Sequence, residues 1–336
     1  MPDNSLYALL ALAISAVALL LLGLAAGSLG LVDRPDQDLK DHKKETPIVG
    51  GIAVFIALHT SLIVAGAFDA WLLALSFGLL LVGLYDDLRT LSPLVRLGTA
   101  AGAGVLLVFS IGAEDDLLAA GLVIVLLVVA INAVNLLDGA DGVAGSAALV
   151  ATVGLVFLNL NRGTEAFPSL ILAGALAGFL IFNWPPARSF LGDGGAYVVA
   201  SGLTYFVLTS TSEPVDSGGD WLPEVLVAVA FFGVFLVDLV VTLLRRIIAR
   251  QPLFGGDRSH VYDQLADGGW SPSRVASSVA GAQVGIVGLV LLMDLVLRPW
   301  VAVVSAVFLL HAVVTLLCAM GFAYHYKPKW VMTPEV

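Results

Sequence analysis

Long apolar runs dominate this sequence and decide what it can fold into. Leu117 to Leu137 and Val225 to Leu244 are each about 20 residues of mainly Leu, Val, Ala and Gly, enough to cross roughly 30 Å of hydrocarbon as helix. Neither alternates with a period of two, which excludes the strands of a membrane barrel. The whole chain follows suit: of 336 residues, 59% are hydrophobic and 12% charged, against about 25% charged in an ordinary soluble domain. The sequence therefore predicts an all-α polytopic membrane protein forming one domain over residues 1–336. Eleven runs are candidate transmembrane helices: 6–27, 49–67, 70–85, 94–111, 117–137, 143–160, 167–183, 194–210, 222–244, 275–297 and 300–324. Met1 to Ser5 carries Asp3 and no Lys or Arg, so the first run lacks the basic flank of a signal peptide and reads as a retained helix.

Basic residues orient the spans. Placing the N-terminus outside puts every Lys and Arg except Arg162 and Arg298 in cytoplasmic segments, 14 of the 16. Basic loops stay inside, so the expected topology is N-terminus out and C-terminus in, in the plasma membrane. The net charge of −10 argues against nucleic acid as a partner, because phosphate backbones are bound by clustered cations. One cysteine, Cys318, excludes an internal disulfide framework.

The polar residues gather at the same predicted face. Asp86 and Asp87 end the third run; being neighbours on a helix, they point about 100° apart and need not share a task. Asn132, Asn135, Asp138 and Asp141 recur every third residue, so successive members are neighbours on a helix surface. Facing lipid they would be costly, which places them against protein or in a wet cavity. Asp193 lies among Gly192, Gly194 and Gly195 where the eighth run begins, near helix N–H groups suited to a phosphate. Phe190 beside it could stack a flat ring or anchor at the interface. Five carboxylates thus come from three segments at one face. Their mutual repulsion calls for a divalent cation, and with no Cys–His cluster the oxygen-seeking Mg²⁺ fits best. That implies a phosphorylated substrate, with membrane lipid as a second one. Lys40, His42, Lys43, Lys44, Arg245, Arg246, Arg250, Arg258 and His260 supply cations for phosphate, although topology alone accounts for most of them. Asp238, inside the ninth run, is an intramembrane acid and so a functional or structural partner by default.

These residues resemble the polyprenyl-phosphate N-acetylhexosamine-1-phosphate transferases. The similarity runs in order through DRPD, Lys40-x-His42 with Pro47, Gly50 and Gly51, YDD, NxxNLxDGxDG, PAxxFxGDxG and DRSH, from residue 33 to about 265. The resemblance implies a multi-helix enzyme that moves a sugar-1-phosphate from a UDP-sugar to a polyprenyl phosphate, undecaprenyl or decaprenyl, with Mg²⁺ and release of UMP. It makes Asp193 the metal ligand. Asp86 and Asp87 become the pair for lipid phosphate and proton removal, and Asn135, Asp138 and Asp141 the nucleotide-side cluster. Phe190 becomes the uracil-stacking ring and His260 the first histidine of the loop after the ninth span. The substrate-side set is Lys40, His42, Asn132, Asn135, Asp138, Asp141, Phe190 and Arg258. One departure stands out: where the family continues with further histidines, this chain has Val261, Tyr262, Asp263 and Gln264. That bears on the sugar rather than on the reaction, and N-acetylglucosamine is the expected one. An ion-coupled transporter is the rival reading of the clustered acids, and a homodimer is left open as the assembly. A CDP-alcohol phosphotransferase is excluded because Ala144-Gly145 replaces the Ala-Arg that its Asp-rich motif requires.

Overall fold

The computed structural model describes residues 4–34, 45–210, 222–248, 250–253 and 260–296. The run at 300–324, with Lys40, His42 and Arg258, lies outside them. The described chain is almost entirely helix. In order come α1 (Asn4–Leu29), α2 (Gly50–Val64), α3 (Ala70–Leu88), α4 (Pro93–Ser110), α5 (Leu117–Leu137) and α6 (Val143–Arg162). After these follow α7 (Phe167–Asn183), α8 (Gly192–Leu208), α9 (Leu222–Phe231), α10 (Gly233–Ile248), α11 (Val261–Asp267) and α12 (Pro272–Val296). Among the described residues six helices are long and apolar enough to cross a membrane, seven if the bent pair α9–α10 is one span, with two shorter apolar helices, α2 and α7. Their exposed large hydrophobic side chains are mostly Leu, Val, Ile and Phe, with Trp71 and Tyr85 on α3, the surface that a lipid environment accepts.

Helix starts follow local chemistry. The Asp69, Ser92 and Asp116 side chains accept the N–H groups of Leu72, Val95 and Leu118, capping α3, α4 and α5, and Pro93 follows its cap at the first helical position of α4. The α9–α10 pair bends by 82° between Phe231 and Gly233. Buried Gln283 of α12 repairs that break: its Nε2 donates to the Phe231 carbonyl at 2.7 Å and its Oε1 accepts the Val234 N–H at 3.0 Å. Unpaired backbone groups inside hydrocarbon cost several kcal/mol each, roughly, so this one amide makes the bend tolerable.

Packing pairs α1 with α7, α3 with α8, α6 with α12, and α5 with α4, α8 and α10. The tightest crossing lies at the start of α8. A Cβ on Gly83 of α3 would overlap the backbone of Gly194, and one on Gly51 of α2 would overlap Gly195. Glycine here lets three helices meet backbone to backbone. A short antiparallel ribbon, β1 (Val32–Asp33) and β2 (Thr46–Pro47), pairs Val32 with Pro47 and Asp33 with Thr46. It is stitched to the chain before α8, where the Phe190 N–H donates to the Pro47 carbonyl and the Gly50 N–H to the Phe190 carbonyl.

Candidate active site

The end of α3, the end of α5 and the start of α8 bring the sequence-selected carboxylates together at one end of the bundle. Asp86 and Asp87 do divide their work. Asp86 is buried: its Oδ1 accepts the Leu91 N–H at 2.8 Å and the Arg96 Nη2 at 2.8 Å, while Arg96 Nε lies 2.6 Å from Oδ2. The Tyr197 hydroxyl donates to Oδ2 from 3.4 Å. Asp86 is thus committed to an ion pair that ties α3 to α4. Half-buried Asp87 instead turns to α8, accepting the Asp193 N–H at 2.9 Å and the Gly194 N–H at 3.3 Å. Asp138 ends α5 and accepts the Gly192 N–H; burial pushes its carboxyl well above the usual carboxylate range, and the Asp193, Asp87 and Asp141 charges push the same way.

This corrects one expectation. The N–H groups of Gly192, Asp193 and Gly194, read from sequence as open to phosphate, are taken by Asp138 and Asp87. Carboxylates are favoured at a helix N-terminus, and here two segments supply them.

Asp193 completes the group, with its Oδ1 accepting the Asn135 amide at 2.8 Å. Asp141 faces the loop before α8, where it accepts the Ala187 N–H at 2.8 Å. Asn132 donates to the Val128 carbonyl of its own helix at 2.7 Å. Phe190 is placed beside the cluster by its backbone bonds to Pro47 and Gly50. Among the described residues no three His, Cys, Asp or Glu side chains form a ready metal cage.

His260 is buried beyond α10. Its Nδ1 lies 2.7 Å from Asp238 Oδ2 and 3.3 Å from Thr242 Oγ1, and the second Asp238 oxygen accepts the Val261 N–H at 3.0 Å. The intramembrane acid therefore has its partner. Tyr262 stacks on the His260 ring, with centroids 5.3 Å apart and planes 4° from parallel, and donates its hydroxyl to the Leu136 carbonyl at 3.2 Å. A Cβ on Gly139 would overlap that hydroxyl, so the histidine segment packs directly on the turn that carries Asp138.

Sequence reasoning missed three supports. Arg96 counted only as a topology marker, although Ser92-Pro93 is a helix-start signal that folds α4 back and sets Arg96 one turn in, beside Asp86. Buried Asn183 clamps two turns, accepting the Gly142 N–H at 3.1 Å and donating to the Ser189 carbonyl at 3.0 Å. Tyr262 was noticed only as a departure from histidine.

Comparison with known proteins agrees with this geometry. The sequence model of glycosyl transferase family 4 matches residues 70–211, the stretch carrying Asp86 through Asp193. A probable undecaprenyl-phosphate N-acetylglucosaminyl 1-phosphate transferase of Bacillus subtilis is 23% identical over 70% of this chain and 70% of its own length. The Thermotoga maritima undecaprenyl-phosphate alpha-N-acetylglucosaminyl 1-phosphate transferase is 27% identical over 69% and 71%. A phospho-N-acetylmuramoyl-pentapeptide-transferase of Moorella thermoacetica is 29% identical over 80% and 92%. The matched segment and the carboxylate cluster coincide, and over residues 70–211 the chain is similar to glycosyl transferase family 4.

Proposed function

We propose that this protein transfers N-acetylglucosamine-1-phosphate from its UDP-sugar to a polyprenyl phosphate, releasing UMP, as the first membrane step of cell-envelope glycan synthesis. The observation that carries the reading is the convergence of Asp87, Asp138 and Asp193 from three segments on the first turn of α8. The names of the Bacillus and Thermotoga relatives support N-acetylglucosamine-1-phosphate as the transferred group and a polyprenyl phosphate as the acceptor. An oxygen-only donor set fits Mg²⁺, which takes one or two carboxylates and completes its shell with phosphate and water. Asp193 would hold the ion, with Asp138 and Asp87 at hand. When bound, it supplies charge neutralisation on the pyrophosphate.

The chain's own residues do the rest. A lipid phosphate oxygen attacks the sugar-linked phosphorus as the bond to UMP breaks, so alignment and electrostatics provide most of the rate. Asp87 borders the reacting phosphates and takes any proton the lipid phosphate still carries. Asp86, neutralised by Arg96, positions α3 for that role. Asn135 orients Asp193, Asp141 and Asn132 border the nucleotide, Phe190 stacks the base, and His260 meets the reacting phosphates through its imidazole. Lys40, His42 and Arg258 complete the phosphate-binding set. The site faces the cytoplasm, with eleven spans, N-terminus out and C-terminus in; the distribution of basic residues supports this orientation.

Nothing among the described residues favours the transporter, since Asp238, deep in its helix, is spent on His260 and Val261. The test is to incubate membranes with labelled UDP-N-acetylglucosamine and polyprenyl phosphate and to look for UMP with a lipid-linked product. Turnover only with another UDP-sugar would move the sugar and keep the reaction. No UMP release with any UDP-sugar would overturn the proposal.

A further inference from the structure

We infer that Asp238 and Tyr262 are positioning residues that act through His260, Asp238 fixing which imidazole nitrogen carries hydrogen and Tyr262 fixing the plane of the ring beside the Asp138 turn. The inference rests on the transferase reading for its kinetic test but not for its spectroscopic one.

Two donors converge on one carboxylate. Asp238 Oδ1 takes the Val261 N–H and Oδ2 faces His260 Nδ1. The backbone N–H cannot change its character, and a carboxylate only accepts. Nδ1 is therefore the hydrogen-bearing nitrogen, which makes Nε2 the one that exchanges a proton or a hydrogen bond in the reaction. Carboxylates oriented toward a functional imidazole set its tautomer in this way. Thr242, one turn after Asp238 on α10, brings its hydroxyl to the same nitrogen. On the other side Tyr262 lies flat on the ring and is pinned by the Leu136 carbonyl above Gly139. The imidazole is held in position and plane by α10, α11 and the end of α5 together.

Asp238→Asn keeps the size of the side chain but offers one accepting oxygen to two donors. Val261 N–H or His260 Nδ1–H must lose its acceptor, and only the ring can answer by moving its hydrogen. With the full chain in nanodiscs, ¹⁵N-histidine spectra distinguish the nitrogens, and His260→Gln identifies the His260 signals among the five histidines. The native protein should show hydrogen on Nδ1, and D238N should alter that signal; an unchanged His260 signal overturns the inference without reference to turnover. In the UMP-release assay, D238N should lower kcat roughly tenfold to a hundredfold, the usual cost of losing such a partner, with KM for the UDP-sugar within about twofold. Placed on H260Q, D238N should lower kcat no further. Losses that multiply, or an H260Q protein with native kcat, overturn it. Should D238N not fold, Thr242→Val gives the same readout: a kcat loss confined to proteins that retain His260. A native protein inert toward every UDP-sugar counts against the transferase reading alone, leaving the spectra to decide the positioning.

Discussion

Adjacent carboxylates acquire different fates from one helical step. Asp86 faces α4 and is neutralised by Arg96, whereas Asp87 faces α8. Asp86→Asn should therefore act mainly on stability. It strips a partner from Arg96, whose partial exposure keeps the cost near or below the ~3 kcal/mol low end for a broken buried pair, and a lowered unfolding midpoint in detergent checks this. Asp193→Asn should abolish Mg²⁺-dependent transfer with the unfolding midpoint nearly unchanged; retained turnover would remove Asp193 as the metal ligand. The residue types were legible: the ends of the apolar runs, oriented by the basic residues, brought Asp86, Asp87, Asp138, Asp141 and Asp193 to one face. Their partners were not, because Arg96, Asn183 and Tyr262 reach partners 10, 41 and 126 residues away in the chain, and no local pattern encodes them.

Among the elements, apolar runs located α1 to α8 and α12 well, since length and hydropathy are local properties. The 82° break between α9 and α10 was read as one continuous run, because Phe231 to Gly233 is as apolar as its neighbours and the residue that permits the bend, Gln283, lies on α12. Gln283→Leu should leave both the Phe231 carbonyl and the Val234 N–H unpaired, costing about 1–3 kcal/mol for each group, visible as a lower unfolding midpoint. The α3–α8 crossing gives a sharper contrast. Gly83→Ala overlaps the Gly194 backbone, whereas nothing lies within 4 Å of a Cβ on Gly98 of α4. The first should lose activity together with stability, at the upper end of the ~1–3 kcal/mol overpacking range because backbone cannot give way. Gly98→Ala should keep both, and equal behaviour of the two variants would contradict the crossing. Gly139→Ala should likewise impair turnover, and Tyr262→Phe, which removes the hydroxyl that it strikes but keeps the ring stacked on His260, should recover part of it.

At the scale of the whole molecule, the acids and their supports gather at one end of the bundle, and the other end is built differently. There Arg162 of α6 pairs with Asp294 of α12 at 2.9 Å and the Tyr205 hydroxyl bonds Asp69. In sealed vesicles, UDP-sugar supplied to the cytoplasmic face alone should support transfer; equal activity from both faces would contradict a one-ended site. The glycine crossing has a mechanical consequence. Bilayers differ in thickness by a few ångströms, and helices answer mainly by tilting. Tilting helices pivot where they are most closely joined, and for α2, α3 and α8 that pivot is Gly51, Gly83, Gly194 and Gly195, one residue from Asp193. The spacing between Asp87 and Asp193 is thereby insulated from lipid thickness, while the far ends of these helices swing most. Turnover in nanodiscs of short and long acyl chains should vary little, even as probes at the far end report different helix separations.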